Sequence, residues 1–200
     1  PYLSMEKGFE ASEIRALEKI YKKDLMYRGI RPVNWCFDCK SALAEAEIEY
    51  IDKKTSAVLV YFPYSGRSFE QLKKIFSVNS LPDNGGIVIW TTTPWTIPSN
   101  QALNVNPTAE YSLYLTKQNK FNVGWLILAK DLDSSIKAKL DFIDSELGFT
   151  EGKKLESLHF SHPLQSLGGS LERESPIIAG DYVDISAGTG IVHCAPSHGM

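Results

Sequence analysis

Trp90-Thr91-Thr92-Thr93-Pro94-Trp95-Thr96-Ile97-Pro98-Ser99-Asn100 packs four threonine hydroxyls, an amide and two indoles into eleven residues. It continues Gly86-Ile87-Val88-Ile89-Trp90, an apolar, β-branched run after the turn signal Pro82-Asp83-Asn84-Gly85, which reads as a buried strand emerging into a loop. Pro94 and Pro98 stop a regular ladder there. Each fixes φ, removes a donor and biases the preceding residue, Thr93 or Ile97, toward an extended conformation. Backbone groups at the strand's end are thereby left free for a ligand. Threonine also favours strands for its own sake, so composition alone is equally consistent with Thr91, Thr92 and Thr93 decorating an edge.

Val58 to Pro63 reads as a strand, Ser68 to Phe76 as a short helix, and Tyr111 to Thr116 and Trp125 to Ala129 as further strands. Ile136, Leu140, Ile143 and Leu147 fall on one helical face, which predicts a helix from Asp131 to Leu147 with Gly148 as its stop. Ile14, Leu17, Ile20 and Leu25 predict an amphipathic helix from Ala11 to Arg28 stopped by Gly29. Without a packing partner its apolar face would be exposed or repacked. Pro163, Gly168-Gly169, Pro176 and Gly180 divide the last third into short strands and turns. Mixed short strands with at least three helices and no regular βαβ alternation give an α+β fold with a strand-rich, barrel-like core.

Two hundred residues, 43% of them hydrophobic, suffice for one cored domain with an appendage. The net charge of -3 argues against a generally basic nucleic-acid surface, without excluding an RNA whose terminus alone enters a pocket. No apolar run approaches bilayer length and the start shows no signal-peptide pattern, so the expected localisation is cytoplasmic, with no membrane partner. The chain begins at Pro1 and stops at Met200, which reads as a piece of a longer parent. Three cysteines do not make a secreted disulfide framework. Cys36-x-x-Cys39 has the spacing of half a zinc ribbon, two ligands of a tetrahedral four, and Cys194 reads as a small buried residue in an apolar strand.

Gly188-Thr189-Gly190 is too short for a phosphate loop and lacks a following lysine; it reads as a tight turn bringing backbone close to a substrate. His193, in the apolar strand Ile191 to Ala195, is open to three readings: a satisfied core histidine, a general base with near-neutral pKa, or a steric wall. His198 reads as a loop-orienting residue, and His159 and His162 as surface or turn residues. No G-x-S-x-G elbow is present, and Ser65-Gly66 and Ser197-His198 are ordinary turn dipeptides.

Thr91-Thr92-Thr93-Pro94-Trp95-Thr96, followed by Pro98 and Asn100, resembles the threonine-rich peptide in the editing insertion of isoleucyl-tRNA synthetases, class I enzymes. Gly188-Thr189-Gly190-Ile191-Val192-His193-Cys194-Ala195-Pro196-Ser197-His198-Gly199 is similar to the segment forming the other wall of that pocket, with Cys194 where threonine is common. Trp35-Cys36-Phe37-Asp38-Cys39, leading into Ala42 to Tyr50, resembles the stretch by which the chain leaves the catalytic core. The valyl and leucyl relatives carry T-T-R-P and then an acidic residue; Thr93 and Trp95 favour the isoleucyl family.

The resemblance implies three segments: a helical connector over 1–34, a partial zinc-ribbon-like linker over 35–50, and an editing domain over 51–200. It implies hydrolysis of valine mischarged on tRNA(Ile), in a parent that ligates isoleucine using ATP. The partners are then the tRNA(Ile) acceptor end, its valine moiety and the rest of the synthetase. No HIGH or KMSKS signature occurs, so ATP and magnesium belong to an aminoacylation site elsewhere. Editing itself needs no cofactor, and Cys36 and Cys39 would hold a structural zinc only with ligands from the parent. By the same resemblance, Thr93 and Asn100 position the attacking water. Thr91, Thr92 and Thr93 hold the terminal adenosine and the ester, Thr96 contacts the small side chain, and Trp95 and His193 bound the pocket, His193 as a steric fence. Gly188, Thr189 and Gly190 belong to the opposite wall. An aspartate that anchors the substrate ammonium would fall just past Met200, so poor catalysis by this piece alone is expected. The alternative is a non-catalytic module that only binds the acceptor end.

Overall fold

The computed structural model describes residues 3–30, 32–52, 54–65, 69–132, 134–156, 158–196 and 198. They fall into two units, 1–48 and 49–200.

In the first unit, helix α1 (Lys7–Tyr21) precedes a two-stranded hairpin, β1 (Asn34–Cys36) and β2 (Ser41–Leu43). The helix ends well before Gly29 because Asp24 takes the left-handed conformation, φ 54, which terminates helices at residues with short polar side chains. Leu25 therefore lies outside it. No residue of α1 is buried, and Ile14, Leu17 and Ile20 are all exposed.

The second unit is built from β3 (Val58–Pro63), α2 (Phe69–Phe76), β4 (Gly85–Thr91), β5 (Ala102–Val105), β6 (Glu110–Thr116), β7 (Trp125–Ala129), α3 (Ser134–Lys139), β8 (Ile143–Glu151), β9 (His159–Ser161), β10 (Glu174–Ala179) and β11 (Ile191–Cys194). A five-stranded sheet has the order β3-β4-β7-β6-β8 and a four-stranded sheet the order β11-β5-β10-β9. The β4–β7 and β5–β10 pairs are parallel and the others antiparallel. Phe62, Ile87, Ile89, Leu113 and Ile127 of the first sheet share one core with Leu103, Val105, Phe160, Ile177 and Ile191 of the second. On the other face of the five-stranded sheet, Val88, Leu126 and Leu128 pack beneath Ile136 and Leu140. Strand β4 is thus buried on both faces, which is why Ile87-Val88-Ile89 reads as a continuous apolar run.

The strand-rich α+β fold is as expected, and its barrel-like arrangement is open: the isolated Tyr64–Phe160 bridge joins the β3 and β9 edges, while β8 and β11 end their sheets unpaired among the described residues. One expectation is corrected. The helix expected to reach Leu147 stops at Lys139, and Ile143 and Leu147 lie in strand β8. Gly148 is no helix stop but a strand residue opposite Leu113, where a Cβ would come within 2.6 Å of the Phe76 carbonyl oxygen. Ser68, expected to open the second helix, lies outside the described residues; the helix runs from Phe69.

Tyr111 locks the sheets together. Its fully buried hydroxyl donates to the Gly190 carbonyl at 2.7 Å and accepts the Asn106 N–H at 2.9 Å. Burial pushes its pKa to about 12, so the donor persists at physiological pH. Tyr111→Phe leaves both backbone groups unpaired and should lower the unfolding free energy by about 1–3 kcal/mol, measured by urea denaturation.

Candidate active site

The turn joining β4 to β5 carries the chain from one sheet to the other, and a cleft of about 680 Å³ opens beside it. Its lining comes from Trp90, Thr91, Thr93 and Thr96 on one side and Val192, His193, Cys194, Ala195 and Pro196 on the other, with Tyr182 and His198. Thr91 sits at the end of β4 and its Oγ1 accepts the Thr93 N–H at 3.1 Å, the local bond by which threonine turns a chain. Pro94 then opens a 3-10 helix, Pro94–Ser99, at the position where its missing N–H costs nothing. With about three residues per turn, Thr93, Thr96 and Ser99 share one ridge.

Thr96 donates both its N–H and its hydroxyl proton to the Thr93 carbonyl, at 3.1 and 2.8 Å. Its Oγ1 therefore accepts from His193 Nε2, 3.0 Å away across the cleft. That bond fixes His193 as the Nε2–H tautomer. The remaining nitrogen, Nδ1, is buried and has no hydrogen-bond partner among the described residues. Burial first, and the neighbouring His198 second, hold His193 below the ordinary imidazole pKa. His198 accepts from Pro196 nothing and gives it a proton: its Nδ1–H donates to the Pro196 carbonyl at 3.0 Å, leaving Nε2 to accept the Ser99 hydroxyl at 3.3 Å.

Other residues singled out in the sequence lie elsewhere. Asn100 is fully buried outside the cleft, its amide donating to the Ala102 carbonyl at 2.8 Å and its Oδ1 accepting the Ser175 hydroxyl at 2.6 Å. Thr92 does not line the cleft, and Trp95, 70% exposed, projects from another side of the 3-10 helix. Gly188 and Gly190 take left-handed φ values of 65° and 69°, where only glycine is at ease. The close approach they permit is internal: a Cβ on Gly190 would lie 2.4 Å from Ala129 Cβ, and the Thr189 carbonyl accepts the Ala129 N–H at 3.1 Å. Ser197 and Gly199 lie outside the described residues.

His162, expected at the surface or in a turn, opens a turn, its carbonyl accepting the Gln165 N–H at 3.0 Å, but is completely buried. Tyr182 was not foreseen. Its ring lies over Gly180, where a Cβ would meet it at 2.8 Å, so Gly180-x-Tyr182 after a strand was the available signal.

Cys36 and Cys39 lie at the hairpin turn of the first unit, where the Cys39 N–H donates to Cys36 Sγ at 3.3 Å. Hydrogen bonding from Cys39 holds the Cys36 thiol below its usual pKa, which suits a thiolate ligand. These residues fit two positions of a tetrahedral site, and no group of three metal-binding side chains occurs among the described residues.

The sequence profile of tRNA synthetases class I (I, L, M and V) matches residues 1–159. The chain belongs to that family. Within it, isoleucine–tRNA ligase of Paraburkholderia xenovorans is 47% identical over the whole chain, and that of Bordetella parapertussis is also 47% identical. The chain spans about a fifth of the length of these curated relatives. The crystallised P. knowlesi cytosolic leucyl-tRNA synthetase editing domain superposes with a TM-score of 0.54 at 15% identity, over 71% of this chain and 59% of that one. The fold is therefore that of an editing domain.

His162 and His193 are both held below the ordinary imidazole pKa by burial. The unfolded chain takes up their protons first, so stability is complete above about pH 6.5 and falls as pH drops through the window beneath it. Replacing both by Gln should flatten the decline in urea midpoint between about pH 7 and pH 5. Gly190→Ala, strained in φ and overpacked against Ala129, should cost about 2–4 kcal/mol by the same measurement.

Proposed function

We propose that the second unit is the editing site of an isoleucine–tRNA ligase and hydrolyses the ester joining valine to the terminal ribose of tRNA(Ile). The observation that carries this reading is the His193–Thr96 hydrogen bond, which places a rigid imidazole opposite the threonine ridge. Valine and isoleucine, the standard illustration of the limit, differ by one methylene, worth only about 1–3 kcal/mol in a single pocket. A second site that admits the smaller side chain supplies the rest of the discrimination.

In this reading the valine side chain lies between Thr96 and His193, and His193 stops the longer isoleucine. The fence role fits the geometry better than a base. The only unprotonated nitrogen of His193 is buried, and the one facing Thr96 already carries hydrogen. Thr93, exposed at the mouth of the turn, orients water toward the ester carbonyl. Water adds to that carbon, the bond to the ribose oxygen breaks, and the proton passes to that oxygen. Orientation and dipolar stabilisation suffice because the ester is already activated. Trp90 and Tyr182 offer ring faces to the terminal adenine. Asn100 supports the turn rather than touching water.

The described lining of the cleft contains no carboxylate. Ligation of isoleucine, with ATP and magnesium, belongs to the full-length protein, as does completion of a structural zinc site at Cys36 and Cys39. No helix among the described residues is long and apolar enough to cross a membrane.

The test is deacylation of Val-tRNA(Ile) and Ile-tRNA(Ile) by the full-length protein. Selective release of valine is expected, and binding of Val-tRNA(Ile) without hydrolysis would reduce this unit to an acceptor-end binding module. Thr93→Ala should slow valine release at least about tenfold. His193→Ala should cut the preference for valine over isoleucine by about tenfold or more, because isoleucine is then admitted.

A further inference from the structure

The 3-10 helix that follows Thr93 and carries Thr96 is gripped from outside at its C-terminal end. Pro94 and Pro98 have no amide proton, so the helix lacks an interior donor at Pro98, while at its ends the Thr96 N–H bonds the Thr93 carbonyl and the Asn100 N–H the Ile97 carbonyl. Its C-terminal carbonyls are satisfied from outside, by two side chains of the β9–β10 connection. His162 Nε2–H donates to the Ile97 carbonyl at 2.9 Å. Arg173 donates through Nη2 to the Pro98 carbonyl at 2.6 Å and through Nε to the Asn100 carbonyl at 3.0 Å. Both donors are themselves held. His162 Nδ1 accepts the Leu164 N–H at 3.2 Å, which fixes the tautomer, and Arg173 Nη1 donates to the Ser170 carbonyl at 2.5 Å. The His162 N–H donates to the Arg173 carbonyl at 3.0 Å, tying the pair together.

We infer that His162 and Arg173 form a clamp on the threonine turn and are positioning residues for ester hydrolysis, acting through Thr93 and Thr96. The inference rests on the editing reading of the cleft. Neither residue lines the cleft, so any effect on hydrolysis passes through the turn and not through a lost substrate contact. The clamp grips the C-terminal end, where unpaired carbonyls carry partial negative charge and a guanidinium is the best-matched donor. Its planar fork reaches two carbonyls at once, which an ammonium on a flexible stem does not reproduce. Loosening this end lets the ridge move relative to His193, and a displacement near 1 Å costs about 100-fold in a positioned reaction.

The experiment uses the full-length protein with Arg173→Lys, His162→Phe and His162→Gln, reading steady-state deacylation of Val-tRNA(Ile) and amide hydrogen exchange without tRNA. Arg173→Lys and His162→Phe should lower kcat toward 100-fold with KM little changed, and should speed exchange at Thr96 and Asn100 while β7 amides keep their protection. His162→Gln, whose amide can still donate to the Ile97 carbonyl, should recover most of kcat. Unchanged kcat and unchanged exchange in Arg173→Lys and His162→Phe would overturn the inference. So would a loss of protection spread over β4 and β7, or failure of His162→Gln to do better than His162→Phe, either of which marks a merely structural role. If the unmodified protein releases no valine, the editing reading fails on its own account. The clamp is then judged by exchange at Thr96 and Asn100 alone: faster exchange supports it and unchanged exchange refutes it.

Discussion

Pro94 and Pro98 constrain the whole region, the first by opening the 3-10 helix and the second by removing a donor from its interior. The turn they define is where the chain leaves the five-stranded sheet at Thr91 and enters the four-stranded sheet at Ala102, so it sits where the two sheets part. The turn also draws partners from outside itself. On one side it takes them from His162 and Arg173; on the other it presents Thr93, Thr96 and Ser99 toward His193 and His198. The Gly188 to Gly190 turn completes the arrangement. Tyr111 and Ala129 pin it to the first sheet, which delivers β11 and its histidine opposite the threonines.

The strands were legible where burial leaves a simple pattern. The run from Gly86 to Trp90 is apolar because core lies on both faces, and Trp125 to Ala129 is apolar for the same reason. The helix expected from Asp131 to Leu147 is realised only from Ser134 to Lys139. Ile143 and Leu147 continue its spacing by coincidence, because a strand that begins soon after a helix can extend the helical period by two residues before its own alternation declares itself. At the other end of the chain, Asp24 stopped a helix that composition assigned to Gly29.

At the site, sequence proximity located the turn but not its faces. Thr93 and Thr96 are three apart and fall on one ridge of a 3-10 helix, whereas Trp95 falls on another and faces solvent. Asn100 is polar and adjacent, yet its amide is consumed in the interior. The role of His162 was hidden because its partners, Ile97 and Leu164, are backbone groups that leave no trace in the side-chain pattern. The cleft that results is lined by hydroxyls, aromatic rings, imidazoles and small apolar side chains. In the proposed function such a surface orients water and limits side-chain length without a strong base.

The most direct test of that account is a crystal structure of the protein bound to a non-hydrolysable valyl amide of the terminal adenosine. The account predicts the valine side chain between Thr96 and His193, with the His193–Thr96 hydrogen bond intact and the carbonyl carbon facing Thr93. A valine side chain bound outside that gap, or an imidazole swung away to coordinate the amide, would contradict it.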